Sequence, residues 1–167
     1  MVFNMDLTVF ERNIRRAQTT RIGGNEKINS DAPELALPTF TMLSEIIADH
    51  QESRMQWCRM DDAVRIMLWH AEKGPTRVRR AAATLCAQLA THVECQANLF
   101  ERGADMLLYR FPHNVEEDGG DLYSNQVETD KPTAIQLACC ITRLACNSQN
   151  AEQWILQGGL QIIPRLL

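Results

Sequence analysis

The chain has 167 residues, 45% of them apolar, with 23% charged residues of both signs and a formal net charge of −4. That is the size and apolar content of one folded domain, and the interspersed charge gives no long-range field to draw in nucleic acid or an anionic membrane. The start, MVFNMDLTVFERN, lacks the basic and apolar layout of a signal peptide, and no apolar run approaches the ~18 residues of a membrane span. The expectation is a cytoplasmic protein, with a nuclear location left open, that neither inserts into membranes nor binds nucleic acid.

In chain order, Asp6 to Arg16 reads as an amphipathic helix with Leu7, Val9, Phe10 and Ile14 on one side and Arg12, Arg15 and Arg16 on the other. A polar linker follows to about Glu34, so residues 1–37 form an N-terminal helix and linker. That helix either caps the array behind it or serves as an arm for a partner or a second copy. Beyond it, breakers at Pro38, Gly74-Pro75, Gly103, Pro112, Gly119-Gly120, Pro132 and Gly158-Gly159 separate segments of helical period. The predicted fold class is all-α. The segment from Arg77 to Ala90 shows it best, since Val78, Ala82, Leu85, Cys86 and Leu89 share one face and Arg77, Arg80, Thr84 and Gln88 another.

These segments repeat. Leu85 to Phe111 matches Cys140 to Leu167 at an offset of 55, which places Leu89 on Leu144, Ala90 on Ala145, Leu99 on Trp154 and Gly103 on Gly158. A weaker copy lies 42 residues upstream, where Leu43, Ile47, Ala48 and Trp57 match Leu85, Leu89, Ala90 and Leu99, with Asp61 at the glycine position. Pro38-Thr39, Pro75-Thr76 and Pro132-Thr133 each stand ahead of one of the three long helices, where a missing N–H costs nothing. Asn147 or Ser148 is a candidate cap for the helix carrying Trp154, and Gly103 and Gly158 fit the left-handed position that ends a short helix.

The stretches QLATHVECQANLFERGADMLLYRF and RLACNSQNAEQWILQGGLQIIPRLL resemble the armadillo repeat family, whose unit closes a long helix on Leu-Ala, adds a short helix ending in Gly, and finishes on a Leu-rich helix. The resemblance covers residues 38–167. It implies an armadillo/HEAT-like right-handed helical solenoid of about three repeats, its long helices lining a concave groove for protein partners. The expected function is a non-catalytic interaction scaffold or adaptor. The alternative is a structural subunit, or a fragment of a larger helical assembly, that docks through uncapped repeat ends. An unrelated helical bundle is the bland alternative for the fold. The Trp and Asn with which import receptors of this family hold basic peptides are replaced by Met42 and Ile46, Thr84 and Gln88, and Cys139 and Arg143, so that activity is not implied.

Three candidate binding surfaces follow. If the phasing holds, Arg77, Arg80, Thr84, Gln88 and Arg143 share the concave side and could clamp the carboxylates of an acidic peptide; a solvated helix face is the plainer reading. The second interval exceeds the first by 55 − 42 = 13 residues, in an acidic inserted loop at 112–131 with Glu116, Glu117, Asp118 and Asp121, either a docking loop or a solvated insertion. Finally, Ile162, Ile163, Leu166 and Leu167 stand where a following unit would pack, so self-association or a tight partner is expected there.

For chemistry the sequence offers little. The six cysteines read as reduced core residues, Cys139 and Cys140 project about 100° apart on a helix, and there is no C-x-x-C pair for zinc. His92 and Cys95 form the one close Cys/His pair in sequence, and no phosphate-binding glycine pattern exists. No enzyme activity, cofactor or metal is expected. Trp57, Trp69 and Trp154 are expected on short helices, filling the junctions between stacked units.

Overall fold

A computed structural model describes residues 7–16, 20–22, 25–27, 32–107 and 130–161. The expected acidic loop residues Glu116, Glu117, Asp118 and Asp121, and the expected stacking residues Ile162, Ile163, Leu166 and Leu167, lie outside them. The described chain is helical apart from one small antiparallel pair, β1 (Thr20–Ile22) and β2 (Asn25–Lys27), with Ile22 opposite Asn25. The sequence analysis read that stretch only as polar linker. Gly23-Gly24 between two short runs is the composition of a two-residue hairpin loop, a signal that the search for helical periodicity passed over.

The helices are α1 (Thr8–Arg16), α2 (Ala32–Asp49), α3 (Gln51–Arg59), α4 (Asp61–Lys73), α5 (Thr76–Leu89), α6 (Val93–Glu101), α7 (Lys131–Leu144) and α8 (Ser148–Leu156), and a 3-10 turn follows at Gly159–Gln161. The long helices α2, α5 and α7 lie side by side in that order. The short helices α3 and α6 pack on each other, α6 also reaches α7, and α4 fills in against α3 and α5. The core runs continuously through this layer, with Phe40, Leu43 and Ile47 of α2, Leu85 and Leu89 of α5, and Leu137 and Leu144 of α7 all buried.

α2 departs from the expected phasing, because it begins at Ala32 and runs straight through Pro38. Proline in a helix interior removes one hydrogen bond and costs about 3 kcal/mol. Against that, Ala36, Phe40, Leu43 and Ile47 recur at i, i+4, i+7, i+11 and are fully buried, each large side chain contributing roughly 1.5–3 kcal/mol. Burial of the apolar stripe wins, and the division between residues 37 and 38 expected from the proline falls inside a helix. Pro75 and Pro132 do sit at helix starts, the first as the residue before α5 and the second in the first turn of α7.

The glycine expectation holds in the backbone. Gly103 and Gly158 both have φ of 85°, and no other described residue has positive φ. At Gly103 the Ala104 N–H donates to the Leu99 carbonyl and the Gly103 N–H to that of Phe100, so two terminal carbonyls of α6 are satisfied by one reversal. Asn147 is the cap of α8, its Oδ1 accepting from the N–H groups of Gln149 (3.0 Å) and Asn150 (3.3 Å).

A second recurrence is carried by side chains. Arg54 in α3 donates to the carbonyls of Ile47 (2.7 Å) and Ala48 (3.2 Å) at the end of α2; Gln96 in α6 donates to Ala90 (3.0 Å) after α5; Asn150 in α8 donates to Leu144 (3.3 Å) at the end of α7. Each short helix thus ties off the carbonyl end of the long helix before it, where backbone acceptors lack partners.

On the outer side of α2, α1 packs against α2 and α4 with Leu7 and Ile14 fully buried. Val9, expected on the apolar side, is 45% exposed. His70 of α4 reaches the Ile14 carbonyl at 2.9 Å; that oxygen can only accept, so Nε2 carries the proton and the buried Nδ1 has no partner among the described residues. Phe40 and Trp69 hold the ring edge-on, and burial lowers the His70 pKa. Arg15 adds an ion pair to Asp62 at 2.9 Å. Among the described residues α1 therefore closes this side of the helix layer.

Candidate functional site: the α2–α5 groove

The sequence requires α5 to bury Val78, Ala82, Leu85 and Leu89, and that face turns Arg77, Arg80 and Thr84 outward. They meet α2 along an open hollow of about 400 Å³, lined by Leu37, Thr41 and Ser44 of α2 and by Arg77, Arg80, Ala81 and Thr84 of α5. Three of the five residues expected on a shared concave face therefore line one groove. Arg77 and Arg80 are exposed, and Leu37 and Ala81 supply an apolar strip between them. The Thr41 and Thr84 hydroxyls donate back to Leu37 (3.0 Å) and Arg80 (2.9 Å) in their own helices, which leaves their lone pairs to a ligand. Helix α5 starts here, so its unpaired N–H groups add to the positive field of the two guanidinium groups.

The remaining two expected residues are placed differently. Gln88 is half-buried, with its side-chain oxygen enclosed and without a partner among the described residues. Arg143 crosses from α7 to donate to the Ala87 carbonyl of α5, so it joins two long helices and does not line the hollow. Arg79, which lies between Arg77 and Arg80 in sequence, is also structural: it pairs with Asp130 at 3.1 Å, both side chains largely buried, and Thr133 completes that carboxylate at 2.6 Å. No local signal announced this contact, which spans 51 residues of sequence (130 − 79).

The positions expected on the concave side form rows under the repeat alignment: Pro38, Arg80 and Ile135; Met42, Thr84 and Cys139; Ile46, Gln88 and Arg143. Every one is exposed or half-buried, while the residue that follows is buried throughout the second and third rows, as at Leu43, Leu85 and Cys140. The surface changes character along the array, from basic and hydroxylic at α5 to apolar at α7, where Ile135 is 59% exposed.

A second hollow, of about 510 Å³, is lined by Phe100, Glu101, Gly103, Asp105, Met106 and Gln157. Asp105 is buried there and desolvation raises its pKa, opposed by its own N–H and that of Met106. Histidine and cysteine chemistry is not assembled around it. His92 and Cys95 meet only through the backbone, the Cys95 N–H donating to the His92 carbonyl at 2.9 Å, while the Cys95 thiol donates to the Arg54 carbonyl at 4.0 Å. The neighbouring Cys95 thiol and burial push the Cys58 thiol up, and burial, aided by Cys139 and Asp105 and opposed by Arg143, carries Cys140 to about 12, so Cys58 and Cys140 are protonated core thiols. All six cysteines are free, four of them buried. Among the described residues no cluster of His, Cys, Asp or Glu could hold a metal ion, and no helix is long and apolar enough to cross a membrane.

Trp57 and Trp154 occupy equivalent positions on α3 and α8, as expected, whereas Trp69 lies on the longer α4. Trp154 shows how a unit adapts to its filler. A Cβ on Gly159 would overlap the indole, 2.7 Å from Nε1, while the equivalent pair in the preceding unit is Leu99 with Ala104. The larger core residue is matched by the smaller turn residue. Compared with known proteins, the chain matches no family model, no curated protein and no solved structure.

Proposed function

We propose that the chain is an armadillo-like helical repeat module that works by binding another protein, with the α2–α5 groove as its docking site for an acidic segment. The observation that carries the reading is the convergence of Arg77, Arg80 and Thr84 with Leu37, Thr41 and Ser44 in one open hollow. The recurrent glycine reversals, the side-chain ties from each short helix, and the ordered layer of α2, α5 and α7 support the repeat reading. Two guanidinium groups over an apolar strip suit a ligand that alternates carboxylates with aliphatic side chains. Arginine favours such partners because its planar fork meets a carboxylate with two parallel hydrogen bonds. The module contributes no bond-breaking step; its role is to hold partners together as a scaffold or adaptor.

Fluorescence anisotropy with a labelled peptide of alternating Glu and Leu tests this. Binding should be saturable and weaken with added salt, and Arg77→Glu with Arg80→Glu should reduce affinity at least about tenfold, or 1.4 kcal/mol, without changing the melting temperature. Equal binding by the reversed-charge variant would refute the groove assignment.

A further inference from the structure

Charge is divided unevenly between the two helices that form the groove. α5 carries Arg77, Arg79 and Arg80 near its start and no charged residue from there to Leu89, while α2 carries no lysine or arginine at all. The last two acidic residues of α2, Glu45 and Asp49, stand four and eight residues beyond Thr41, on the row of side chains that the groove-lining Leu37 and Thr41 begin. Both are exposed, and neither has an ion pair among the described residues.

The two helices run in the same direction. Arg54 of α3 donates to the Ile47 and Ala48 carbonyls at the end of α2, and its own carbonyl accepts the Cys95 thiol in the first turn of α6, just beyond the end of α5. The ends of α2 and α5 are therefore level, so the groove is cationic where α5 starts and anionic where α2 finishes. Arg54 does not reverse that sign, because its side chain is only 11% exposed, is turned into the end of α2 and faces Glu94 at 4.0 Å. In the repeat alignment Glu45 is level with Ala87 and Asp49 with Thr91, which are 87 − 80 = 7 and 91 − 80 = 11 residues beyond Arg80. At a helical rise of 1.5 Å per residue these are about 10 and 16 Å along the groove, a span that an extended chain covers in about three to five residues.

We infer, resting on the docking reading above, that the groove takes a charge-segregated linear segment of its partner in one orientation. The segment's carboxylates meet Arg77 and Arg80, its aliphatic residues cover Leu37 and Ala81, and a basic residue about three to five positions from the carboxylates meets Glu45 and Asp49. Glu45 and Asp49 are then specificity residues. A uniformly acidic ligand is held at one end of the groove and repelled at the other, so these two carboxylates select against it while favouring the mixed one.

Fluorescence anisotropy on the full chain tests it with labelled peptides in which a Glu-Glu pair is followed, after a short aliphatic spacer, by Lys-Lys, Ala-Ala or Glu-Glu, and with the same set in reverse order. In the preferred chain direction the Lys-Lys peptide should bind about fivefold more tightly than the Ala-Ala peptide, and the Glu-Glu peptide should bind most weakly. Glu45→Lys with Asp49→Lys should invert that order at an unchanged melting temperature, and Glu45→Lys alone should already remove the preference for lysine. Glu101→Lys with Glu152→Lys makes the same change of net charge at exposed positions of α6 and α8, and should leave the order as in the wild type. Equal binding of the Lys-Lys and Ala-Ala peptides in both directions overturns the inference, as does an order that the α6–α8 variant inverts too. If Arg77→Glu with Arg80→Glu still removes binding in that case, the groove assignment stands without this refinement. Absence of binding by every peptide overturns both.

Discussion

The two junctions between successive long helices are made from equivalent positions and end in opposite states. At α5–α7, α5 presents Ala83, Ala87 and Ala90, all at 1% exposure or less. At α2–α5, α2 presents Thr41, Glu45 and Ala48 at the matching positions, all exposed, and the hollow opens beside them. Small side chains let helix axes approach, whereas a carboxylate at Glu45 has to stay in water, because burying it unpaired costs more than the contact returns. The difference teaches that the groove is encoded by one charged and one hydroxylic residue in a register that otherwise carries alanine. α2 is held from behind by α1 and α4, which lets its other side stay open.

The largest effect should come from moving that charge into the closed junction. Ala87→Glu buries a carboxylate without a partner and should cost about 3–5 kcal/mol, seen as a large drop in melting temperature or loss of cooperative melting. Thr142→Glu, at the equivalent but exposed position, should cost less than about 0.5 kcal/mol in folding stability. If both substitutions cost the same, the closed junction is not packed as described.

Next is the unit-specific pairing of filler and turn. Gly159→Ala must displace the Trp154 indole and should cost about 2 kcal/mol in a urea melt, whereas Gly103→Ala meets only the Met106 side chain at 3.9 Å and should cost about 1 kcal/mol from its positive φ.

The support behind α2 is sharpened by pH. His70 has a lowered pKa in the folded chain, so the unfolded state takes up its proton first. The stability linked to it is complete above about pH 6.5 and declines as pH falls from there toward the folded pKa, by up to about 1.4 kcal/mol per pH unit. His70→Gln, which keeps a donor for the Ile14 carbonyl, should remove this acid sensitivity. Unfolding curves between pH 7 and pH 5 that superimpose for wild type and variant would show that the latch does not titrate. The smallest effect is expected from Glu45→Ala, which should change folding stability by less than about 0.5 kcal/mol because the side chain already faces water.

Much of this was legible in the residues because it depends on local pattern. The periodicity of Val78, Ala82, Leu85 and Leu89 located α5 and its outward arginines; the recurring glycines announced two reversals that the backbone adopts at φ of 85°. Pro38 misled because proline sets only a local preference, and the buried stripe from Ala36 to Ile47 outweighs it. The side-chain ties escaped notice because Arg54, Gln96 and Asn150 share a geometric role without sharing a residue type. Arg143 read as part of a concave clamp, and Arg79 drew no reading, until the fold brought Ala87 and Asp130 to them, contacts that no local spacing encodes. The opening of the groove was written in Thr41 and Glu45 against Ala83 and Ala87, but it becomes readable only once those positions are known to face a neighbouring helix.

Backbone amide chemical shifts followed by NMR during titration with the Glu-Leu peptide test the central claim most directly, because both junctions report in one experiment. The account predicts saturable shifts at Thr41, Ser44, Arg77, Arg80, Ala81 and Thr84, with the α5–α7 junction at Ala87 and Ala138 unmoved. Shifts centred on α7, or none at any peptide concentration, would contradict it.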